Sequence, residues 1–201
     1  MVAESNERKS GEVPTPASAE LIAACQRGDY DAFSTLFESC KDRVYSIALR
    51  FSGDPAAAAD ITQDIFLKLL AQIQAFRGEA RFETWLYRVV VNACLDHQRA
   101  RRRWLPLLED VLGSIVNKVR SAEPLRSAER AQVRDRVARA IAALPAEQRI
   151  VVVLRYTEGL SYEEITEATG FALGTVASRL NRAHKVLEGQ LQDLRPKGEQ
   201  Q

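Results

Sequence analysis

Apolar residues recur at intervals of three and four along most of the chain, a spacing that is typical of amphipathic helices. In the first half this pattern predicts four helices. The first is short and ends near Gly28, and the second follows Asp31 and is broken by the sequence GDP at residues 53–55. The third begins at Pro55, which suits a first helical turn, and runs to about Gln74.

A loop at residues 76–81 separates this third helix from a fourth, which begins near Phe82 and ends in the basic run around Arg101. Three consecutive valines at residues 89–91 would by themselves suit a strand. The long context without glycine or proline favours a helix, so the whole stretch is predicted to be helical.

The second half again predicts four helices, which start near Ser127, Ala146, Ser161 and Leu173. Pro145 stops the first, and Ser161 with Glu164 forms a capping box at the start of the third. The last helix runs to about Gln190. There is no alternating strand pattern and no internal repeat. The sequence therefore predicts an all-α protein with an N-terminal helical bundle and a C-terminal four-helix domain containing a helix-turn-helix.

The predicted domain boundaries follow these helices. They give a disordered tail, a first domain, a linker, a second domain and a short tail, at residues 1–17, 18–103, 104–126, 127–192 and 193–201. The linker is unusually apolar, with helical spacing of Leu108, Val111, Leu112, Ile115 and Val119. Because such an exposed stripe is a liability, we predict a short helix that is docked between the domains, holds them compact and hides part of their surface. The alternative is that the stripe packs on one domain and regulates nothing.

Composition narrows the possible functions. The net charge of +1 gives no bulk attraction to nucleic acid or membrane, and no apolar run approaches about 18 residues. Three scattered cysteines indicate a reducing compartment rather than a disulfide framework. We therefore expect a soluble, cytoplasmic protein without direct membrane insertion.

No catalytic constellation is present, so we expect no enzyme activity, no cofactor and no small-molecule substrate. The pair Cys94 and His97 has metal-like spacing but lacks a second pair. A buried cysteine beside a solvated or DNA-side histidine is the preferred interpretation, and no metal site is predicted.

The segment from Leu160 to His184 combines two helices of opposite charge around one glycine. Two short helices joined this way make a helix-turn-helix, whose second helix can enter a DNA major groove. That second helix carries only basic charges until Glu188, and Ser178 and Asn181 suit base edges. The alternative is an ordinary helical hairpin with a solvated basic face. The three glutamates of the first helix would be repelled by phosphate, so they should point away from DNA or toward another protein.

The first half is also polarised along its length. Residues 20–64 contain eight acidic and four basic side chains, whereas residues 65–103 contain three acidic and eight basic ones. Arginines give affinity for phosphate, and aromatic groups such as Trp85 can hold an unstacked base. The alternative is that Trp85 belongs to the core and that the arginines cap a helix C-terminus.

Three segments in order make the chain recognisable. "DITQDIFLKLL" spans residues 60–70, "FRGEARFETWLYRVVVNACLDHQRARRR" spans 76–103, and "ALPAEQRIVVVLRYTEGLSYEEITEATGFALGTVASRLNRAHKVLE" spans 143–188. They resemble the core-polymerase-binding helix, the −10 segment and the −35-reading domain of the extracytoplasmic-function (group 4) sigma factors of bacterial RNA polymerase. That family is all-helical, with two domains and a short linker, in agreement with the periodicity.

The resemblance implies particular site residues. Core polymerase would be bound by Asp60, Gln63, Asp64 and Leu67. The −10 element would be bound by Phe76, Arg77, Arg81, Arg88, Asn92, Arg99, Arg101 and Arg102. The −35 element would be bound by Arg155, Thr175, Ser178, Arg179, Asn181, Arg182 and Lys185, with Arg155 on phosphate. Ala177 stands where the family often has Lys or Arg, and Ala172 gives the last helix a weak cap.

The resulting expectation is a sigma factor that binds core RNA polymerase and directs initiation at promoters with −10 and −35 elements. Its partners would be core polymerase, promoter DNA and an anti-sigma factor. The alternative is a conventional helix-turn-helix regulator that acts on duplex DNA without polymerase. The acidic surface at residues 60–64 and the arginine-rich fourth helix argue against that alternative, because a sensor domain needs neither.

Overall fold

Helices dominate the computed structural model, which describes residues 17–112 and 128–192. These residues form eight α-helices and one short 3₁₀ helix. In chain order they are α1 Ala19–Gln26, α2 Tyr30–Ser52, α3 Pro55–Gln72, the 3₁₀ helix Ile73–Ala75, α4 Phe82–Leu112, α5 Ala128–Ala143, α6 Ala146–Thr157, α7 Tyr162–Thr169 and α8 Leu173–Leu191. The all-α prediction is confirmed.

The helix starts follow local chemistry. The side chains of Ser18, Asp29 and Asp54 cap α1, α2 and α3 by accepting hydrogen bonds from backbone N–H groups of the first turn. The predicted capping box of α7 is present, with both reciprocal bonds between Ser161 and Glu164. Ala172 precedes α8 and provides no side-chain cap, as its sequence predicted.

The end of α4 differs from the prediction. The sequence suggested an end near Arg101, but the helix continues through Pro106 to Leu112. Arginine is itself a good helix former, so the basic run does not end a helix. The apolar stripe of the linker therefore begins on the last turns of α4. The rest of the predicted linker, including Ile115 and Val119, lies outside the described residues, so its docking stays a prediction.

The two predicted tails also lie outside the described residues, apart from Ala17. Ala17 was assigned to the N-terminal tail, but it is buried against the first core.

The first core forms where α2, α3 and α4 bury one face each. Its largest fully buried side chains come from α2, α3, the 3₁₀ helix and α4: Leu36, Ile47, Phe51, Ile61, Ile65, Leu69, Ile73 and Leu86. Burying each of these side chains contributes about 1.5–3 kcal/mol. The second core is smaller and joins α6, α7 and α8 through Ile150, Leu154, Ile165, Val176 and Leu180.

The two domains pack directly against each other. Helix α4 packs against α6 and α7, and α2 packs against α5 and α6. The buried apolar side chains of both domains consequently form one continuous cluster. This packing brings surfaces of the two domains together that the sequence treats as separate.

A buried arginine joins the domains at the end of α2. The side chain of Arg149 is only 7% exposed, and it donates to the carbonyls of Phe51 (2.7 Å) and Leu144 (2.8 Å). Its guanidinium group also lies over the Phe51 ring, 5.2 Å from the centroid. Burial lowers the pKa of Arg149, and the positive charges of Arg101 and Arg102 lower it further.

A second interdomain contact lies at Glu158. Its carboxylate, only 9% exposed, accepts a hydrogen bond of 3.0 Å from the hydroxyl of Tyr87 and lies 3.9 Å from Arg43. Burial, followed by the negative charge of Glu158, raises the pKa of the Tyr87 hydroxyl well above its ordinary value. The hydroxyl therefore stays protonated as the donor of this contact.

Candidate functional site

An apolar groove of about 520 Å³ runs between α2 and α3. It is lined by Phe33, Phe37, Tyr45, Ala59, Thr62, Gln63, Phe66, Leu67 and Leu70. Leu67 is 57% exposed although it is apolar, and Leu70 is similarly exposed. A run of exposed apolar side chains along a groove is typical of a protein-binding surface.

The orientation of α3 explains why the four predicted polymerase contacts face outward. Ile61, Ile65 and Leu69 recur every four residues and are fully buried. Asp60 comes directly before these positions, Gln63, Asp64 and Leu67 lie between them, and all four are exposed. Gln63 and Leu67 line the groove, while the two aspartates are exposed one turn apart on the same helix. The helix thus presents carboxylate, amide and apolar groups on its outer face.

The loop between the 3₁₀ helix and α4 borders a cavity of about 340 Å³. Its lining includes Phe76, Arg77, Thr84, Trp85 and Arg88. The ring of Phe76 packs on Phe82 at 5.9 Å and on Trp85 at 5.2 Å between centroids. This arrangement offers an aromatic wall and cationic side chains, which are the groups that hold an unstacked base.

A second cavity of about 390 Å³ adjoins the first along α4. Trp85 and Arg88 line both cavities, and Asn92 lines the second with its exposed amide. Trp85 is half-buried: one part of its side chain packs against the core, and the other part lines the cavities. The core interpretation and the base-holding interpretation of Trp85 therefore each describe one part of the side chain. The amide of Asn92 can donate and accept hydrogen bonds at a base edge.

The predicted −10 arginines differ in their surroundings. Arg88 donates from its Nε and Nη2 atoms to the carbonyl of Glu167, at 3.2 and 2.9 Å, and so satisfies a carbonyl in the last turn of α7. Arg99 bonds Asp96 at 2.9 Å, and Arg81 lies 3.8 Å from Glu83. Arg77 and Arg101 are exposed. All of these charges lie at the surface, where phosphate can reach them.

The predicted −35 residues on α8 fall into two groups. Asn181, Arg182 and Lys185 are exposed. Arg179, in contrast, pairs with Glu147 and lies 3.9 Å above the Phe171 ring, while the Ser178 hydroxyl donates to the Thr175 carbonyl at 3.0 Å. The exposed group is therefore better placed to reach base edges.

Arg155 is half-buried and has partners inside its own domain. It donates to the carbonyl of Leu160 at 2.8 Å and lies 5.5 Å from the centre of the Tyr162 ring. The side chain consequently helps to hold the segment between α6 and α7. Any contact that it makes with phosphate would be made from this fixed position.

The packing of the domains brings both predicted DNA surfaces to one cleft of about 320 Å³. Arg99 and Arg102 line it from α4, and Arg179 and Arg182 line it from α8. Sequence reasoning did not bring these residues together, nor did it identify Glu158, Tyr87 or Arg149 as interdomain contacts. The positions of these residues depend on contacts between distant parts of the chain, which local spacing does not indicate.

The cysteines are core residues. Cys25, Cys40 and Cys94 are all buried as free thiols, and burial raises the pKa of Cys40 to about 11 and that of Cys94 to about 12. Across residues 17–112 and 128–192, no cluster of His, Cys, Asp and Glu side chains could hold a metal ion. No helix in the same ranges is both long and apolar enough to cross a membrane.

Two family models match the chain, one in each predicted domain. "Sigma-70 region 2" matches residues 36–104, and "Sigma-70, region 4" matches residues 134–187. The chain is 34% identical over 183 residues to the RNA polymerase sigma-H factor of Pseudomonas aeruginosa. It is 33% identical over 184 residues to the ECF RNA polymerase sigma-E factor of Escherichia coli. Both alignments cover 87% of this chain and 94% of the relative.

Two solved structures share the fold. One contains CnrH in complex with the cytosolic domain of CnrY, with a TM-score of 0.62 and 22% identity over 87% of this chain and 96% of the other. The other contains the sigma factor RpoE in complex with the anti-sigma factor NepR from Bartonella quintana. Its TM-score is 0.63, with 24% identity over 81% of this chain and 98% of the other.

Proposed function

Since this chain belongs to the sigma-70 family and is an RNA polymerase sigma factor of the extracytoplasmic-function type, we propose which of its surfaces perform each step of initiation. The outer face of α3 and its groove bind core polymerase. The loop at residues 76–81 and α4 bind the −10 element as a single strand, and α8 reads the −35 element in the major groove. The protein acts by binding, not by catalysis, and it does so in the cytoplasm.

The observation that carries this proposal is found in the first domain. A single small helical domain presents an exposed apolar groove and, separately, an aromatic cavity flanked by arginines. A regulator that only binds duplex DNA through α8 needs neither feature. A pull-down of purified core polymerase tests the choice directly, since retention of the polymerase supports a sigma factor and its absence favours the regulator.

Promoter binding requires the packed domains to separate. The −10 and −35 elements are about 25 base pairs apart, so at about 3.4 Å per base pair they lie roughly 85 Å apart along B-DNA. Arg102 and Arg182, one from each set of predicted DNA contacts, instead line the same cleft. We therefore assign the packed arrangement to the free protein, in which part of the DNA-binding surface is covered.

An anti-sigma protein is the further partner that we propose. The two solved structures described above are complexes, one with the cytosolic domain of CnrY and one with the anti-sigma factor NepR. A partner that binds the packed form would hold the two sets of arginines together. Association of such a partner should therefore compete with promoter binding.

Replacement of Arg182 by alanine should weaken −35 recognition by about 1–3 kcal/mol and relax base preference, because a bidentate contact to a base edge is lost. Replacement of Arg155 should weaken binding evenly across sequences. Binding to a panel of promoter variants distinguishes the two effects, with Arg139→Ala on the exposed face of α5 as the control. Identical profiles for Arg182→Ala and Arg155→Ala would refute this division of the contacts. Melting curves are needed for Arg155→Ala because that side chain also bonds Leu160.

Replacement of Asn92 by alanine should reduce open-complex formation more than initial promoter binding. The amide lies beside Trp85 and Arg88 in the second cavity and can hydrogen-bond an extruded base, which only the melted promoter provides. Permanganate footprinting measures the unpaired thymines, and gel shifts on duplex promoter measure initial binding. Normal melting by this variant would contradict the assignment.

A further inference from the structure

One side chain of α1 holds the backbone that leads into the loop at residues 76–81. The Nε2 atom of Gln26 donates to the carbonyl of Ile73 at 3.1 Å and to the carbonyl of Phe76 at 2.7 Å. These two carbonyls lie at the start of the 3₁₀ helix and just after its end. A single carboxamide has two N–H donors, so the side chain can satisfy both carbonyls at once.

These two bonds satisfy backbone carbonyls that the short 3₁₀ helix leaves without enough partners. The carbonyls beyond the end of a helix have no partner within it, and a 3₁₀ helix of three residues supplies few bonds of its own. The backbone N–H of Phe76 donates to Ile73, so the carbonyl of Ile73 receives this bond together with the one from Gln26. Gln26 thereby fixes the point at which the chain leaves the 3₁₀ helix.

The other side of the same junction is fixed by aromatic packing. The ring of Phe76 rests on Phe82 and Trp85, while its carbonyl is held by Gln26. The cavity beside the loop is lined by Phe76 and Trp85, so its shape depends on where this junction lies. Both anchors act on Phe76, one through the backbone and one through the ring.

We propose that Gln26 is a positioning residue for promoter melting, which holds the loop at residues 76–81 in the shape that receives an unstacked base. Extruding a base from duplex DNA requires unstacking energy, and a preformed cavity spares the further loss of entropy in ordering the loop. The inference rests on the proposed role of this loop in −10 recognition. It adds a residue of α1 that contacts no DNA itself.

The test uses holoenzyme assembled with purified core polymerase. The probe is a promoter fragment selected from random DNA by the unaltered holoenzyme, prepared fully paired and with the −10 segment already unpaired. Gln26→Leu keeps the approximate size of the side chain and removes both donors. We expect about tenfold weaker binding to the unpaired fragment and reduced preference for one base within it. Affinity for core polymerase and for the −35 duplex should remain unchanged.

Two matched variants separate positioning from general weakening of the domain. Ile22→Ala loosens the packing of α1 without touching the loop carbonyls, and Gln74→Leu changes an exposed glutamine of the 3₁₀ helix. Both variants should retain the base preference. For Ile22→Ala this should hold even if its melting temperature falls by as much as that of Gln26→Leu. The proposal is overturned if Ile22→Ala reproduces the defect, or if Gln26→Leu keeps the preference for the unpaired base.

Failure of the broader −10 assignment would look different. If the loop does not receive a base, the unaltered protein itself would show no base preference on the unpaired fragment. Asn92→Ala and Arg77→Ala would then also leave binding to that fragment unchanged. A preference that is present in the unaltered protein and kept by Gln26→Leu refutes only the role of Gln26.

Discussion

Replacement of Leu67 by glutamate should lower the affinity for core RNA polymerase by roughly 100-fold, which corresponds to about 2.7 kcal/mol. Leu67 lines the groove between α2 and α3 and is mostly exposed in the free protein. Burying a leucine against a partner contributes about 1.5–3 kcal/mol, and burying an unpaired carboxylate there adds a desolvation penalty. The substitution removes the favourable burial of the leucine and adds the cost of desolvating the carboxylate.

The fold should tolerate this change because the side chain is exposed before binding. Fluorescence titration of labelled protein with core polymerase measures the affinity, and thermal melting verifies the fold. Tyr30→Glu is the matched control, since Tyr30 is an exposed aromatic residue of the same domain, at the start of α2, that does not line the groove. Asp64→Arg should also weaken binding. If Leu67→Glu and Tyr30→Glu bound core polymerase with equal affinity, α3 would not be part of the polymerase interface.

The second large effect is expected at Arg149. Replacement by alanine removes charged donors from the carbonyls of Phe51 and Leu144, and each such bond is worth about 1.5–3 kcal/mol. Because the Phe51 carbonyl belongs to the first domain and Arg149 to the second, the substitution should release the domains from each other. We expect a loss of about 3 kcal/mol in the free energy of unfolding, with a larger radius of gyration of the folded protein.

Small-angle X-ray scattering measures the radius of gyration, and Arg139→Ala on the surface of α5 is the control. Arg149 also bonds within its own domain, so a second variant keeps the test decisive. Tyr87→Phe combined with Glu158→Ala removes the interdomain contact at Glu158 and leaves Arg149 intact. Both variants should expand the protein and increase binding to an isolated −35 duplex. An unchanged radius in both would show that these contacts do not hold the domains together.

Most helix starts were predictable because they depend on near neighbours, although α2 begins at Tyr30, before the predicted Asp31. The capping box at Ser161 and Glu164, the weak cap at Ala172 and the outward face of α3 all follow from residues within one or two turns. The end of α4 was predicted wrongly, since a run of arginines resembles a helix C-terminus, whereas arginine is a good helix former and this helix runs on to Leu112. The three motifs also gave the family correctly.

Other parts of the candidate site depended on the tertiary structure. Arg179 and Arg182 are three residues apart on one helix and look equivalent in the sequence, yet Glu147 and Phe171 hold the first while the second is exposed. Likewise, nothing near Gln26 indicates that its partners are 47 and 50 residues away.

The sequence by itself determined the eight helices of the described residues, the two domains and the candidate residues for polymerase, −10 and −35 binding. Helix periodicity and capping act over about four residues, so the chain encodes them locally. Only the tertiary structure decided which of those residues are held internally and how the domains meet, through contacts such as Arg149 to Phe51, which are 98 residues apart. Such contacts depend on how complete helices pack, because packing fixes which distant side chains share a buried space.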